Sequence, residues 1–330
     1  MTPKLERDRH ESVGRPQLKK LPDRAAVHAL VHTLERGGRL LSVRTLHGGL
    51  GCSTHAVKIA PRVGRPYEVV LRRYHDGGHG DPSAICHREW RTVQLLAESP
   101  VVAPRPIWAD VDGQLFGQPV LVETRLPGHA MLGPSDVDRY VSELAGTAAL
   151  IHSVSISGQD WAYARRLDDR LTAKVNSGPS SSVLRHPDGA GVWSALRKLW
   201  PQVSLAGRTL RHGDYWPGNT LWLRGHIVGV VDWEEISIGD PAREVSYCRQ
   251  DLAMLFGLEA ADRFLRHYER IVGQRIEALA FWDLLAVARA LPDVERWLPG
   301  YHDFGRTDIS PVLMQRRHRA FIAQAFDRAG

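Results

Sequence analysis

Cysteine is scarce in this 330-residue chain, and the few copies follow no recognisable pattern. Cys52, Cys86 and Cys248 are widely spaced and odd in number, and no C-x-x-C pair occurs. This usage argues against a disulfide framework and against a zinc site built on paired cysteines. It also predicts a reducing compartment, so we expect a cytoplasmic protein.

Long apolar runs are missing as well. Residues 1–22 have mixed charges and lack the apolar core of a signal peptide, so we expect a partly disordered leader. The longest apolar stretch, residues 278–291, is interrupted by Asp283 and is too short to span a bilayer. We therefore expect a buried helix there and no membrane partner.

Basic charge is not concentrated in any one segment. The formal net charge is +6, but the arginines are spread along the chain, and no basic run is interleaved with aromatic residues. A nucleic-acid-binding protein usually shows such a cluster, so nucleic acid is not expected as a partner. A positive field also suits a protein that handles polyphosphate ligands. The sequence contains no internal repeat and does not indicate an oligomeric state.

The most informative segment that is present reads HGDYWPGN, residues 212–219. It places Asp214 and Asn219 five positions apart, which is the spacing of the catalytic Asp and Asn in the kinase loop pattern H-R-D-x-x-x-x-N. Phosphoryl transfer needs a carboxylate that deprotonates the attacking hydroxyl and an oxygen ligand for a metal that bridges the phosphates. One rigid loop can aim both side chains at the same point.

A second acidic residue follows the signature of a buried strand. Residues 227–231 read IVGVV and precede Asp232, which would supply a second metal ligand from a strand end. Mg²⁺ is a hard cation that prefers such carboxylate and amide oxygens. A single Asp at a turn is more often a cap than a catalyst. The prediction therefore depends on the order in which these motifs follow one another along the chain, of which the last is GDPARE at residues 239–244.

In these motifs the chain resembles the aminoglycoside phosphotransferase and choline kinase family of small-molecule kinases. The resemblance also includes the segments LHGGLGCSTHAVKI and HREWRTVQLL. It implies that Asp214 is the catalytic base, that Asn219 and Asp232 bind Mg²⁺, and that ATP, or alternatively GTP, is the phosphoryl donor. It further implies that His212 and Asp240 brace the loop through hydrogen bonds.

A glycine-rich turn, HGGLGCST, joins two predicted strands upstream of the loop. Glycine lets backbone N–H groups approach phosphates closely, because no Cβ intervenes. We predict that Gly49, Gly51 and Ser53 cover the phosphates of the nucleotide. Thr54 stands where the third glycine of G-x-G-x-x-G would be, so an ordinary hairpin is the alternative.

The next strand, residues 68–73, carries arginine where kinases place a lysine that contacts the α- and β-phosphates. We predict that Arg72 takes this role and that Glu89, on the helix HREWRTVQLLAE, orients it. Arginine is permanently charged, and its fork matches phosphate oxygens. Arg73 is the alternative, because alternate strand residues point to opposite faces.

Two connecting segments have separate predictions. Residues 75–81, HDGGHGD, contain potential metal ligands, but their three glycines favour a flexible crossover over a preorganised metal site. The strand in QPVLVETRLPG, residues 118–128, corresponds to the segment that joins the lobes in the family, and the resemblance implies adenine-binding backbone groups near Glu123 and Leu126.

A strand-rich half precedes a helix-rich half, which indicates an α+β fold. The resemblance sharpens this to a bilobal, protein-kinase-like fold with a strand-rich N-terminal lobe and a mainly helical C-terminal lobe. We expect a nucleotide-binding lobe at residues 23–125 and a catalytic and acceptor-binding lobe at residues 126–330. Helical periodicity predicts helices at residues 23–36 (N-cap Asp23), 136–152 (N-cap Ser135), 243–256, 259–272, 276–291 and 311–328.

The acceptor is predicted to be a small molecule that carries a hydroxyl group. Gly213 stands where protein kinases have an arginine that binds a phosphate on the activation loop. The segment between Asp232 and Gly239 is also too short to contain an activation loop. Residues 243–330 contain twelve Asp and Glu against thirteen Arg, which disfavours a polycation such as an aminoglycoside.

Four aromatic residues favour an apolar or singly charged acceptor, although core packing explains them equally well: Trp216, Trp282, Trp297 and Tyr301. The rival hypothesis is a catalytically silent nucleotide- or ligand-binding protein that keeps the fold. The presence of Asp214, Asn219 and Asp232 favours the enzyme.

Overall fold

The computed structural model describes residues 20–46, 52–76, 80–157, 161–205 and 208–330. The chain divides into two compact units, Met1–Leu126 and Pro127–Gly330. Most of the predicted leader lies outside the described residues.

The N-terminal unit is built on a five-stranded antiparallel sheet with strand order β1-β2-β3-β5-β4. Two helices accompany the sheet, and the strand-rich character of this half agrees with the prediction. The elements are α1 (Arg24–Leu34), β1 (Arg39–Thr45), β2 (Cys52–Ala60), β3 (Tyr67–Tyr74), α2 (Pro82–Leu96), β4 (Pro106–Asp110) and β5 (Val120–Thr124).

The two faces of this sheet bury different cores. One core contains Val27 and Leu30 of α1 together with Leu71 of β3. The other contains Tyr74 of β3 and Cys86 of α2. Because side chains alternate along a strand, residue 72 shares the α2 face with Tyr74, and residue 73 shares the α1 face with Leu71.

Two predicted helix caps can be compared with the structure. Asp23 caps α1 as predicted, since its Oδ1 accepts a hydrogen bond from the Ala26 N–H at 2.9 Å. The predicted cap Ser135 is wrong by one residue, because Asp136 caps the helix Val137–His152 and accepts from the Arg139 N–H at 3.0 Å. Serine and aspartate cap helices about equally well, so two adjacent candidates could not be separated by sequence.

The C-terminal unit is mainly helical, as predicted. Its helices are α3 (Val137–His152), α4 (Leu171–Ser177), α5 (Ser181–Leu184), α6 (Gly189–Leu199), α7 (Pro241–Phe256), α8 (Leu258–Val272), α9 (Leu279–Ala290), α10 (Leu298–Asp303) and α11 (Pro311–Asp327). Its strands are β6 (Thr209–Arg211), β7 (Thr220–Leu223), β8 (His226–Val230) and β9 (Ser237–Gly239). Short 3₁₀ turns cover Asp168–Arg170, Trp200–Gln202, Pro217–Asn219, Trp233–Glu235 and Val294–Trp297.

Two short antiparallel ribbons frame the segment HGDYWPGN. Strand β6 pairs with β9 and ends immediately before His212. Strand β7 starts immediately after Asn219 and pairs with β8, which ends just before residues 231–232. Both ends of the loop and the segment that carries Asp232 are therefore fixed by strand pairing.

The apolar stretch near residue 283 forms the buried helix that the sequence predicts. Asp283 of α9 is fully buried, and its carboxylate accepts from the guanidinium of Arg249 at 3.2 Å. The ion pair compensates both buried charges. In the described ranges, no helix is both long and apolar enough to cross a membrane.

Candidate active site

Asp214 lies in a polar network of the C-terminal unit. Its Oδ1 accepts a hydrogen bond from the Tyr247 hydroxyl at 2.9 Å, and its Oδ2 accepts from Nδ2 of Asn219 at 3.2 Å. Nη2 of Arg289 lies 3.6 Å from Oδ1. The Asp214 side chain is nevertheless 29% exposed. The carboxylate is thus held in one orientation while it stays accessible to a ligand.

The hydrogen bonds of Asn219 explain the spacing of five positions between Asp214 and Asn219. Its Nδ2 donates to both the Asp214 backbone carbonyl at 2.9 Å and the Asp214 carboxylate. Both partners are acceptors, so the amide nitrogen must face Asp214, and Oδ1 is left as the acceptor of this side chain. Asn219 is 7% exposed. Its amide oxygen is therefore preoriented, as a metal ligand should be.

Asp232 is tied to the same loop through its neighbours. The Val231 N–H donates to the Asn219 carbonyl at 3.0 Å, and Nε2 of His212 lies 2.9 Å from the Val231 carbonyl. Asp232 itself adopts the left-handed conformation, with φ 71° and ψ 59°. Aspartate is among the few residues that tolerate this region. Asp232 therefore lies in a turn that directly follows the end of β8.

Glu234 adds a carboxylate that sequence reasoning missed. One of its oxygens lies within 4.8 Å of a carboxylate oxygen of Asp232. Together with Oδ1 of Asn219, these groups offer only oxygen ligands, which suit Mg²⁺ better than softer metals. The donor chemistry of the loop therefore fits the predicted metal.

His212 has hydrogen bonds of the bracing kind that was predicted. Its Nδ1 accepts from the Asp214 N–H at 3.3 Å, and its Nε2 donates to the Val231 carbonyl at 2.9 Å. Its ring lies against Trp233, with 4.5 Å between ring centroids. His212 thereby joins residues 212–214 to residues 231–233.

Glu244 holds the backbone of the loop and was not predicted. Its carboxylate accepts from the N–H groups of His212 at 3.1 Å and Gly213 at 2.6 Å. Nε2 of His152 donates to it at 2.9 Å. Burial by itself would raise the pKa of Glu244, but the hydrogen bond and charge of His152, with His212 and Gly213, lower that pKa below its usual value.

Asp240 lies beside this network. Its carboxylate caps α7 by accepting from the Ala242 N–H at 2.9 Å, and its backbone carbonyl accepts from the buried Arg211 guanidinium at 3.0 Å. Asp168, also missed by sequence reasoning, accepts from Arg211 at 3.1 Å and from Arg243 at 3.2 Å. Burial, the largest effect, raises the pKa of Asp240.

Gly213 has a steric requirement that explains its departure from the protein-kinase pattern. Its φ is +87°, and a Cβ at this position would collide with the backbone carbonyl of Glu235. Arginine could occupy this position only if both chain segments moved. The absence of the protein-kinase arginine follows from how tightly the two segments pack.

In the N-terminal unit, Arg72 and Glu89 form the pair that the sequence predicts. Nη2 of Arg72 lies 3.2 Å from Oε2 of Glu89, with side chains 5% and 1% exposed. The Tyr74 hydroxyl donates to the same oxygen at 2.5 Å. Arg73 lies on the opposite face, where its guanidinium donates to the Lys20 carbonyl at 2.5 Å. The observed register therefore gives Arg72 the partner that the prediction requires.

The other predicted nucleotide-binding residues differ in burial and in their contacts. The buried Ser53 hydroxyl lies 2.6 Å from Nε2 of His75. Glu123 is buried in β5, opposite Val70, and Leu126 follows that strand half-buried. Gly49 and Gly51 lie outside the described residues, as do three residues of the predicted crossover, 77–79.

The four aromatic residues singled out for the acceptor do not form one group. Trp282 is buried in the core at 2% exposure, against Phe281. Tyr301 is buried and donates to Asp251 at 2.5 Å. Half-buried Trp216 lies 6.0 Å from Tyr301, centroid to centroid. Trp297 is half-buried, with the Arg296 guanidinium 5.6 Å from its ring.

Sequence comparison agrees with the motifs. A sequence model of the phosphotransferase enzyme family matches residues 43–282. The mouse protein named acyl-CoA dehydrogenase family member 10 is 24% identical over 215 residues, which make up 59% of this chain and 19% of that protein. The chain thus spans about a fifth of the length of that curated relative.

Solved structures share the fold. A candidate aminoglycoside phosphotransferase from Ralstonia eutropha JMP134 superposes with a TM-score of 0.63 at 18% identity, over 94% of this chain and 98% of that one. A thermostable APH(4)-Ia mutant, in a ternary complex with AMP-PNP and hygromycin B, gives 0.59 at 17% identity over 92% and 98%. The gentamicin complex of APH(2")-IIa gives 0.58 at 14% identity over 92% and 97%. The predicted protein-kinase-like fold is confirmed.

Proposed function

Because the chain belongs to the phosphotransferase enzyme family, we propose that it transfers the γ-phosphoryl group of ATP to a hydroxyl group of a small molecule. GTP is the alternative donor. The main support is the geometry of Asp214, whose carboxylate is oriented by Tyr247 and Asn219 and still 29% exposed. A general base needs this combination of fixed orientation and access.

Asp214 would accept the proton of the acceptor hydroxyl as that oxygen attacks the γ-phosphorus, and the bond to the bridging oxygen would break to release ADP. Tyr247 and Asn219 occupy one lone pair on each carboxylate oxygen, which leaves further lone pairs for the hydroxyl. Asn219, His212 and Glu244 keep the loop in a single conformation. The chain would therefore contribute a proton acceptor and positioning, and positioning is a main protein contribution to phosphoryl transfer.

Asn219 and Asp232 would hold Mg²⁺, with Glu234 as a further oxygen donor. The fit depends on the preoriented Oδ1 of Asn219 and on the carboxylates of residues 232 and 234, which lie within 4.8 Å of one another. Mg²⁺, when bound, neutralises negative charge on the phosphate oxygens. Removing the charge of Asp232 should therefore affect nucleotide binding only when Mg²⁺ is present.

Arg72 would contact the α- and β-phosphates, with Glu89 fixing its guanidinium. Gly49, Gly51 and Ser53 are proposed to cover the phosphates, and backbone groups near Glu123 and Leu126 to bind the adenine. The ligands of solved relatives support a nucleotide and a small-molecule acceptor, since one binds AMP-PNP with hygromycin B and another binds gentamicin. A cytoplasmic location is part of the proposal and follows from cysteine usage.

The proposal is tested by Mg²⁺-dependent transfer of labelled phosphoryl from ATP to a panel of hydroxyl compounds. Asp214→Asn keeps the shape of the side chain and removes the base, and turnover should fall about 10²–10⁴-fold with little change in ATP affinity. Asp327→Asn, an exposed aspartate at the end of α11, is the matched control. Near-normal turnover in Asp214→Asn would contradict the assignment. Nucleotide binding without any transfer by the wild-type protein would favour the catalytically silent alternative.

A further inference from the structure

An exposed cation stands beside the proposed base. Arg289 lies in the last turn of α9, and its guanidinium is 4.2 Å from the centroid of the Tyr247 ring. Its Nη2 is 3.6 Å from Oδ1 of Asp214, and 41% of its side chain is exposed. A hydroxyl that approaches Asp214 therefore comes close to a positive charge.

Apart from its approach to Asp214, this guanidinium keeps N–H donors that can bind a ligand. Arginine has five N–H donors. Within the described part of the chain, the Arg289 guanidinium has no hydrogen-bond contact shorter than its 3.6 Å approach to Asp214. The guanidinium packs on the Tyr247 ring, and its planar fork matches a bidentate anion.

The surrounding charges reinforce a preference for anions. Burial, followed by the charge of Arg211, lowers the pKa of Arg243 to about 10, and Arg289 contributes in the same direction. Arg289 therefore lies near a second arginine. Burial raises the pKa of Asp251 to about 7, so this neighbouring carboxyl is only partly ionised at neutral pH.

We infer that the acceptor carries an anionic group, a carboxylate or a phosphate, which binds Arg289 while the reacting hydroxyl lies at Asp214. The inference rests on the proposed function and specifies its substrate class. The separation of 3.6 Å between Arg289 and Asp214 places the anionic group within a few bonds of the hydroxyl. A polycation would meet repulsion at this point, because like charges in contact are costly.

The first experiment sorts acceptors by charge. A small-molecule extract is separated on anion and cation exchangers, and each fraction is tested with the full-length protein, Mg²⁺ and labelled ATP. Acceptor activity should be retained by the anion exchanger. An aliquot treated with a phosphatase, which is then removed, separates the two sources: activity that survives comes from a carboxylate, and activity that disappears comes from a phosphate ester.

The second experiment uses the retained fraction as the acceptor. Arg289→Gln should raise the amount of acceptor needed for half-maximal transfer by about 10- to 100-fold, the size of a lost charge-assisted hydrogen bond. The KM for ATP should not change. Arg289→Lys should recover part of the loss because it keeps the charge, and Arg319→Gln, an exposed arginine of α11, should behave like the wild type. Thermal unfolding confirms that each variant is folded.

The possible outcomes separate this inference from the proposed function. Transfer that occurs only to unretained or cationic fractions overturns the inference and leaves the proposed function intact. A loss of turnover in Arg289→Gln without a change in half-saturation also overturns it, because Arg289 would then only position Asp214. Absence of transfer to every fraction overturns both.

Discussion

The hydroxyl of Tyr247 donates to Oδ1 of Asp214 at 2.9 Å. Burial raises the pKa of Tyr247 well above its ordinary value, so the hydroxyl keeps its proton at every working pH. The two residues are 33 positions apart, and α7 brings them together. The orientation of the proposed base is therefore set by helix packing as well as by its own loop.

Replacing Tyr247 with phenylalanine should lower kcat roughly 10- to 100-fold, because a hydrogen bond to a charged group is worth about 1.5–3 kcal/mol. The ring that supports Arg289 remains, and the KM for ATP should stay constant. Steady-state kinetics checks both values. Tyr67→Phe, at a partly exposed position of β3, is the control. An unaltered kcat would show that this hydrogen bond does not orient the base.

Asp232→Asn should remove most activity and weaken the Mg²⁺ dependence of ATP binding. Asparagine tolerates the left-handed conformation at φ 71°, so the variant changes charge without the backbone strain that alanine would add. Calorimetric ATP titrations with and without Mg²⁺ measure the effect. Metal dependence equal to that of the wild type would rule out a ligand role for Asp232.

Arg72 and Glu89 should be energetically coupled. Each single alanine variant leaves a buried charge without its partner and should lower the free energy of unfolding by about 3–5 kcal/mol, whereas the double variant should lose much less than the sum. Denaturant unfolding of the four proteins completes the cycle.

The same variants test the phosphate contact. The KM for ATP should rise strongly in Arg72→Ala and partly recover in Arg72→Lys, because lysine keeps the charge but not the fork. Arg73→Ala is the matched control on the opposite face of the sheet. A rise in the KM for ATP that occurs only in Arg73→Ala would show that Arg73, and not Arg72, contacts the phosphates.

Glu244→Gln should destabilise the loop in a pH-dependent way. The pKa of Glu244 is lowered in the folded state, so its stabilising contribution is present above the unfolded value near 4.5 and is lost as the pH falls through the folded value. At pH 7 the variant should be about 1.5–3 kcal/mol less stable, since it weakens hydrogen bonds to a buried carboxylate. Unfolding curves at several pH values should converge in acid. A difference that does not vary with pH would contradict the electrostatic explanation.

Sequence reasoning could identify residues whose contact follows from local spacing. The bond from Asn219 to Asp214 spans five positions, so the loop pattern alone identifies both residues. The pairing of Arg72 with Glu89 was accessible too, because a strand followed by an amphipathic helix restricts which charges can meet.

The residues that sequence reasoning missed act from distant elements. Glu244 and Tyr247 lie on α7, where an acidic or aromatic residue looks like any other member of an amphipathic helix, and Arg289 lies on α9. Strands β6 and β9 have three residues each, too few for an alternation of apolar and polar residues to be visible. Such features depend on tertiary contacts, which periodicity does not encode.

Gly213 restricts how this loop can change. Any side chain at that position would displace the carbonyl of Glu235, and with it the 3₁₀ turn that follows Asp232. No single substitution can therefore place an arginine there to sense a phosphate on a neighbouring segment. Under the proposed function, the shape of the loop would be set by this close packing and would not depend on a phosphorylated activation segment.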